Sequence, residues 1–129
     1  MTAQELFDLT VGITGSTPSQ AQSNLPTYLP ILNTILSQTL KCENNNREYL
    51  ALTPLTSSQV VTGLSDVLTY QDYILRNVVV WGVAQLFALN DDDTIKSGFY
   101  ETRFADGLNS NNHGIPTDIV DYYSLESEE

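Results

Sequence analysis

The chain is short of basic residues, histidine and cysteine, and each shortage removes a class of chemistry. Lys and Arg number 5 against 16 Asp and Glu, a formal charge of −11. The bases, Lys41, Arg47, Arg76, Lys96 and Arg103, are scattered. A groove that grips phosphate needs them clustered, so the composition argues against nucleic-acid binding. The single cysteine, Cys42, cannot close an intrachain disulfide, which excludes a disulfide-stapled scaffold. His113 is the only histidine and sits beside Gly114 in a polar stretch. Neither the surroundings of Cys42 (LKCENNN) nor those of the serines resemble a nucleophile elbow. No phosphate loop, GxGxxG or paired-cysteine cluster is present. Catalysis is not expected, and neither is a cofactor.

Long apolar runs are also missing. The most apolar stretch, Tyr73 to Leu89, is broken by Arg76, Asn77, Gly82 and Gln85. It falls short of the roughly 20 apolar residues that span a bilayer. The opening MTAQELFDLT has neither the basic nor the apolar region of a signal peptide, so synthesis in the cytoplasm without membrane insertion is expected. What is there is a 129-residue chain, 41% hydrophobic and only 16% charged, with the balance in Ser, Thr, Asn and Gln. That length suits one domain, and low charge with ample apolar content favours folding.

Four helices are predicted. The first covers about 2–10, with Thr2 and Glu5 at capping-box spacing and Leu6, Phe7 and Leu9 on its apolar side. Gly12, Gly15, Ser16, Thr17 and Pro18 then read as a loop. A second helix begins near Pro26, capped by Ser23 or Asn24, with Pro30 delaying its regular part to about Ile31. Leu29, Leu32, Ile35, Leu36 and Leu40 recur at helical steps, and the run Glu43–Asn46 ends it. The third, 70–89, is apolar almost all round and belongs in a core or a subunit interface. Thr69 or Asp72 is its expected cap, and Asn90 its left-handed end. Asp91, Asp92 and Asp93 lead into the fourth, 94–108, whose apolar stripe is Ile95, Phe99, Tyr100, Phe104 and Leu108.

Residues 47–69 read differently. Apolar and polar residues alternate briefly before Pro54, and Gly63 interrupts a second apolar run, which predicts an extended arm or irregular hairpin. Beyond 109, HGIPTDIVDYYSLESEE carries five acids and no Lys or Arg, yet also six apolar residues. A merely solvating tail has no need of those, so it is expected to dock, on its own domain or on a neighbour. The expected fold is therefore mainly α: a small bundle of about four helices over 1–109 with an irregular arm, then an extended acidic tail over 110–129.

The triple aspartate fails as an EF-hand loop. Starting at Asp91, the fifth, sixth and twelfth positions hold Ile95, Lys96 and Thr102 where an oxygen ligand, Gly and Glu are required. Helix capping with a solvated turn is the reading, and no metal site is expected. Glu101 and Asp106 read as solvated helix-face residues.

The order of these features resembles the small head-to-tail adaptor (neck connector) proteins of tailed bacteriophages. The resemblance covers about residues 25–108. It rests on an extended stretch ending in DVLTYQDYILRN, the apolar helix VVVWGVAQLFAL, the acidic turn NDDD and the helix bearing FYETRFADGL. Val80-Trp81-Gly82-Val83-Ala84 keeps the aromatic and glycine of the family's Pro-Tyr-Gly-Leu-Ala-like stretch but lacks its proline. The resemblance implies a virion subunit at the neck, forming a twelve-fold ring between the portal protein and a tail-side or stopper protein. DNA would pass through such a ring without specific binding. Subunit or partner contacts are then expected at Tyr49, Leu52, Val60 and Val61 on the arm, and at Tyr70, Tyr73 and Trp81 on the apolar helix. In the tail they are expected at Ile119, Val120, Tyr122 and Tyr123. Asp91, Asp92 and Asp93 would form an acidic wall facing the DNA, since like charge keeps a duplex mobile. A different class of function remains open: an acidic binding or regulatory module that mimics DNA or holds a basic partner.

Overall fold

A computed structural model of the chain describes residues 1–111. Helix takes up 73% of them, and among the described residues there is no strand, only an isolated antiparallel bridge between Thr2 and Val67. The mainly α expectation is met with four helices. The tail from 112 lies outside the described residues.

Helix α1 runs Ala3–Thr14. Thr2 and Glu5 form the expected capping box, each side chain accepting from the other residue's backbone N–H. The helix outlasts its expected end and stops at Gly15, whose φ of 64° suits a residue without a Cβ.

Helix α2 corrects the expectation most. It spans Pro18–Tyr49, starting eight residues before Pro26. Thr17 and Gln20 make a second capping box, with Pro18 in the first turn where a missing N–H costs nothing. Pro26 and Pro30 lie inside the helix, and with Gln22 they are exposed at four-residue spacing. The carbonyls they leave unpartnered thus fall on the solvent side, where water can satisfy them. The asparagine run does not end the helix either. Asn44 bonds both the N–H and the C=O of Leu55, and Asn46 donates to Gln71, so tertiary contacts override their weak helix propensity.

Helix α3 opens at Asp72–Ile74, widens into a π-helical stretch at Leu75–Val79, and continues as Val80–Asn90. Gln71 precedes it without a side-chain cap, so neither Thr69 nor Asp72 caps it. The left-handed residue at its other end is Asp92, with φ 57°, rather than Asn90. Helix α4 runs Thr94–Asn111, past its expected end at 108. Two glycines allow close packing of α3, Gly82 against α2 and Gly107 of α4 against α3. A Cβ at Gly82 would lie 2.8 Å from Ile35 Cγ2, and one at Gly107 would lie 3.1 Å from the carbonyl oxygen of Asn77.

The core sits where α1, α2 and α3 meet. Phe7, Tyr28 and Phe87 form a trio of edge-to-face rings with centroids 5.0–6.0 Å apart. Tyr28 is fully buried and its hydroxyl donates to the carbonyl of Ala3 at 2.6 Å, tying α2 to the start of α1. Burial pushes its phenol well above the ordinary tyrosine range, with Asp8 adding to the shift.

Candidate interaction surfaces

The connection from Leu50 to Gln71 is irregular but closely held. Asn33, on α2, donates to the carbonyl of Val61 at 3.0 Å and accepts from its N–H at 2.7 Å, pairing with it as a strand neighbour would. Asn44 treats Leu55 the same way. The N-terminus supplies a third line, with Ala3 N–H to Asp66, Gln4 N–H to Leu64, and Leu68 N–H to the carbonyl of Met1. The Gln59 side chain bridges to Val67 and Thr69, so 59–69 is an irregular hairpin clamped by a side chain instead of a ladder.

A buried carboxylate gathers the two ends of this connection. Glu43 is fully buried and accepts from the N–H of Gln71 at 3.0 Å and from Arg47 Nε one turn along α2. Arg47 in turn donates to the carbonyls of Thr53 and Thr69. Desolvation raises the pKa of Glu43, against the lowering effect of its Gln71 and Arg47 hydrogen bonds. Neighbouring Cys42 is buried too, and desolvation, aided by the Glu43 charge, pushes its thiol up to about 11. A thiol so protonated at neutral pH is a poor nucleophile. Asp66 is the opposite case: it accepts from the N–H groups of Thr62 and Gly63, which hold its carboxyl below the usual range.

Of the residues expected at interfaces, Tyr49 and Val60 are each 72% exposed, Tyr73 is 56% and Leu52 is 44%. Val61 and Tyr70 are instead taken up by the chain's own core, and the Tyr70 hydroxyl donates to the carbonyl of Leu36. Val61 stands in an irregular stretch and Tyr70 at the start of an apolar helix, and neither position in the sequence reveals which helix lies beneath it. Trp81 is half-buried at the α3–α4 border. Ile119, Val120, Tyr122 and Tyr123 lie outside the described residues.

The three aspartates have three different situations. Asp91 is half-buried and accepts from Asn24 Nδ2, itself buried, at 3.3 Å from each carboxylate oxygen. Asp92 is exposed in its left-handed conformation. Asp93 accepts from the N–H of Lys96 at 3.0 Å and so caps α4. Lys96 shares a shallow hollow with Asp91, Asp93, Thr14, Ser16 and Tyr100, which offsets the acidic charge there. Among the described residues, no group of three or more His, Cys, Asp or Glu side chains is placed to hold a metal ion.

One surface escaped the sequence reading. On α4, Tyr100 and Phe104 are buried as expected, but Ile95 is 86% exposed and Phe99 57%. At 100° per residue Ile95 lies half a turn from Phe104, so a single apolar stripe cannot hold both. The helical angle was the signal available. Arg103 stacks over Trp81 at 4.6 Å and reaches Phe99 at 5.9 Å, so this flank of α4 joins apolar and cationic groups.

Compared with known protein families, with curated proteins and with solved structures, the chain matches none.

Proposed function

We propose that this chain is a non-catalytic structural subunit of a tailed-phage neck, a head-to-tail adaptor that forms an oligomeric ring between portal and tail. The reading rests first on the order of sequence features that resembles that family. The structural observation that best supports it is the exposure of large apolar side chains on two separate elements. Tyr49, Leu50 and Leu52 cluster in sequence at the end of α2, and Ile95 and Phe99 lie on α4. Contiguous apolar surface is seldom left open on a soluble monomer. A ring needs two different faces per subunit, each meeting the other kind on the next copy. In this reading the exposed Asp92 belongs to an acidic wall past which DNA slides.

Light scattering and negative-stain imaging of the full chain, alone and with a phage portal protein, test the proposal. Ring-sized particles that bind portal are the expected result. A monomer that ignores portal and instead retains basic proteins would replace the proposal with an acidic binding module.

A further inference from the structure

The outward flank of α4 carries Ile95, the most exposed apolar side chain of the described residues, and Phe99, more than half exposed one turn on. Gly98 lies beside them and is exposed as well. A Cβ there would meet nothing within 4 Å, and a glycine inside a helix costs about 1 kcal/mol relative to alanine. No contact within the described residues accounts for that cost, whereas close approach of a second helix would. Arg103 borders the same flank. Among the described residues its guanidinium makes no ion pair and lies over Trp81, which leaves its edge nitrogens for a carboxylate.

The partner that fits this flank is a second copy of it. At 100° per residue Gly98, Ile95, Phe99 and Arg103 fall in that order across an arc of about 140°. When two such helices lie antiparallel about a two-fold axis level with Gly98, each edge of the flank meets its own counterpart. The two Phe99 rings then meet across the axis with an Ile95 on either side, and the backbones at Gly98 can approach. Along the helix Arg103 is about 7.5 Å beyond Gly98 and Asp92 about 9 Å before it, so the pairing sets each Arg103 opposite Asp92 of the partner subunit. Asp92 is exposed, and its carboxylate has no hydrogen-bonding or ionic partner among the described residues. Arg103 then stands between that carboxylate and its own Asp106, one turn along. The Lys96 ammonium stays turned to the carbonyl of Thr14. The flank thus supplies both the base and the acid of its own contact, and this selects a second copy over an unrelated partner.

We infer that the free chain pairs with a second copy through α4, Phe99 against Phe99 and Arg103 against Asp92, across a two-fold axis at Gly98. The inference goes beyond the connector reading and does not rest on it. It concerns the chain before assembly: a pair that buries Ile95 and Phe99 must open before a ring can use them.

Sedimentation equilibrium on the full chain, joined to cysteine cross-linking, tests it. A dimer that dissociates on dilution is expected. Gly98→Cys should cross-link to itself under mild oxidation, because the axis brings the same position of two copies together. Ser37→Cys, exposed on α2, should not, and the native Cys42 is buried and does not compete. Arg103→Asp and Asp92→Arg should each weaken the dimer about tenfold with helical content unchanged, and combining them should restore it. Phe99→Ser should leave a folded monomer. A chain that stays monomeric at its highest soluble concentration, a larger assembly whose Gly98→Cys does not cross-link to itself, or a dimer indifferent to Phe99→Ser or to either charge reversal would overturn the inference. A ring built on portal after such a failure would leave the connector reading standing. A dimer that portal never converts into rings would sink that reading and leave this one intact.

Discussion

The connection at 50–71 and helix α4 invert the usual relation between regularity and attachment. The connection has no regular secondary structure, yet its backbone is tied to α2 by hydrogen bonds with the side chains of Asn33, Asn44, Arg47 and Glu43, and to the N-terminal residues by backbone bonds. Helix α4 is regular for its whole length, yet one flank carries exposed Ile95 and Phe99. Irregular backbone must have its polar groups satisfied by someone else, so it is bound in proportion to its irregularity. A helix satisfies its own backbone and is free to leave a face open.

Substitutions that loosen the connection should therefore cost more than those on the open flank. Removing the buried carboxylate with Glu43→Ala strands Arg47 and the Gln71 N–H, and should destabilise the fold by about 3–5 kcal/mol in urea unfolding. Asn33→Ala takes away both partners of Val61 and should cost about 1–3 kcal/mol by the same measurement. Ala51 sits just past the end of α2 at φ 59°, where a Cβ is strained. Ala51→Gly should raise stability there by about 1 kcal/mol, a gain readable in the melting temperature. On the open flank, Ile95→Ser should change stability by no more than about 0.5 kcal/mol.

Titration sharpens the same contrast within the connection. The folded-state pKa of Glu43 is raised, so the stability it contributes by protonation is present below its ordinary value of 4.5 and is lost as pH rises through the folded value. Asp66 is lowered, so its contribution is present above 3.8 and is lost as pH falls through the folded value. Glu43→Gln should flatten the fall in stability above pH 4.5, whereas Asp66→Asn should flatten the loss on acidification. Unfolding curves collected across that range distinguish the two.

Local signals carried much of the fold. Thr2 with Glu5, the acidic turn before α4 and the apolar run of α3 all speak through neighbours three or four residues away. The start of α2 was equally local, in Thr17, Pro18 and Gln20, but Gly15 and Pro18 also read as loop residues, and Pro26 offered a competing start. The persistence of α2 to Tyr49 was not legible, because Asn44 and Asn46 are held by residues 11 and 25 positions away. The candidate surfaces divide the same way. Tyr49, Leu52, Val60 and Tyr73 are exposed, but the burial of Val61 and Tyr70 depends on Asn33 and Leu36 in a distant helix.

The Arg103–Trp81 stack has a spectroscopic consequence. Trp81 is the single tryptophan, and the cation resting on its ring belongs to α4. Its emission is thus a gauge of whether α4 remains seated on α3, a question separate from whether the Phe7–Tyr28–Phe87 core has melted. Fluorescence that changes before helical dichroism would mark α4 lifting as a unit, and so the chain carries its own probe for the first step of its opening.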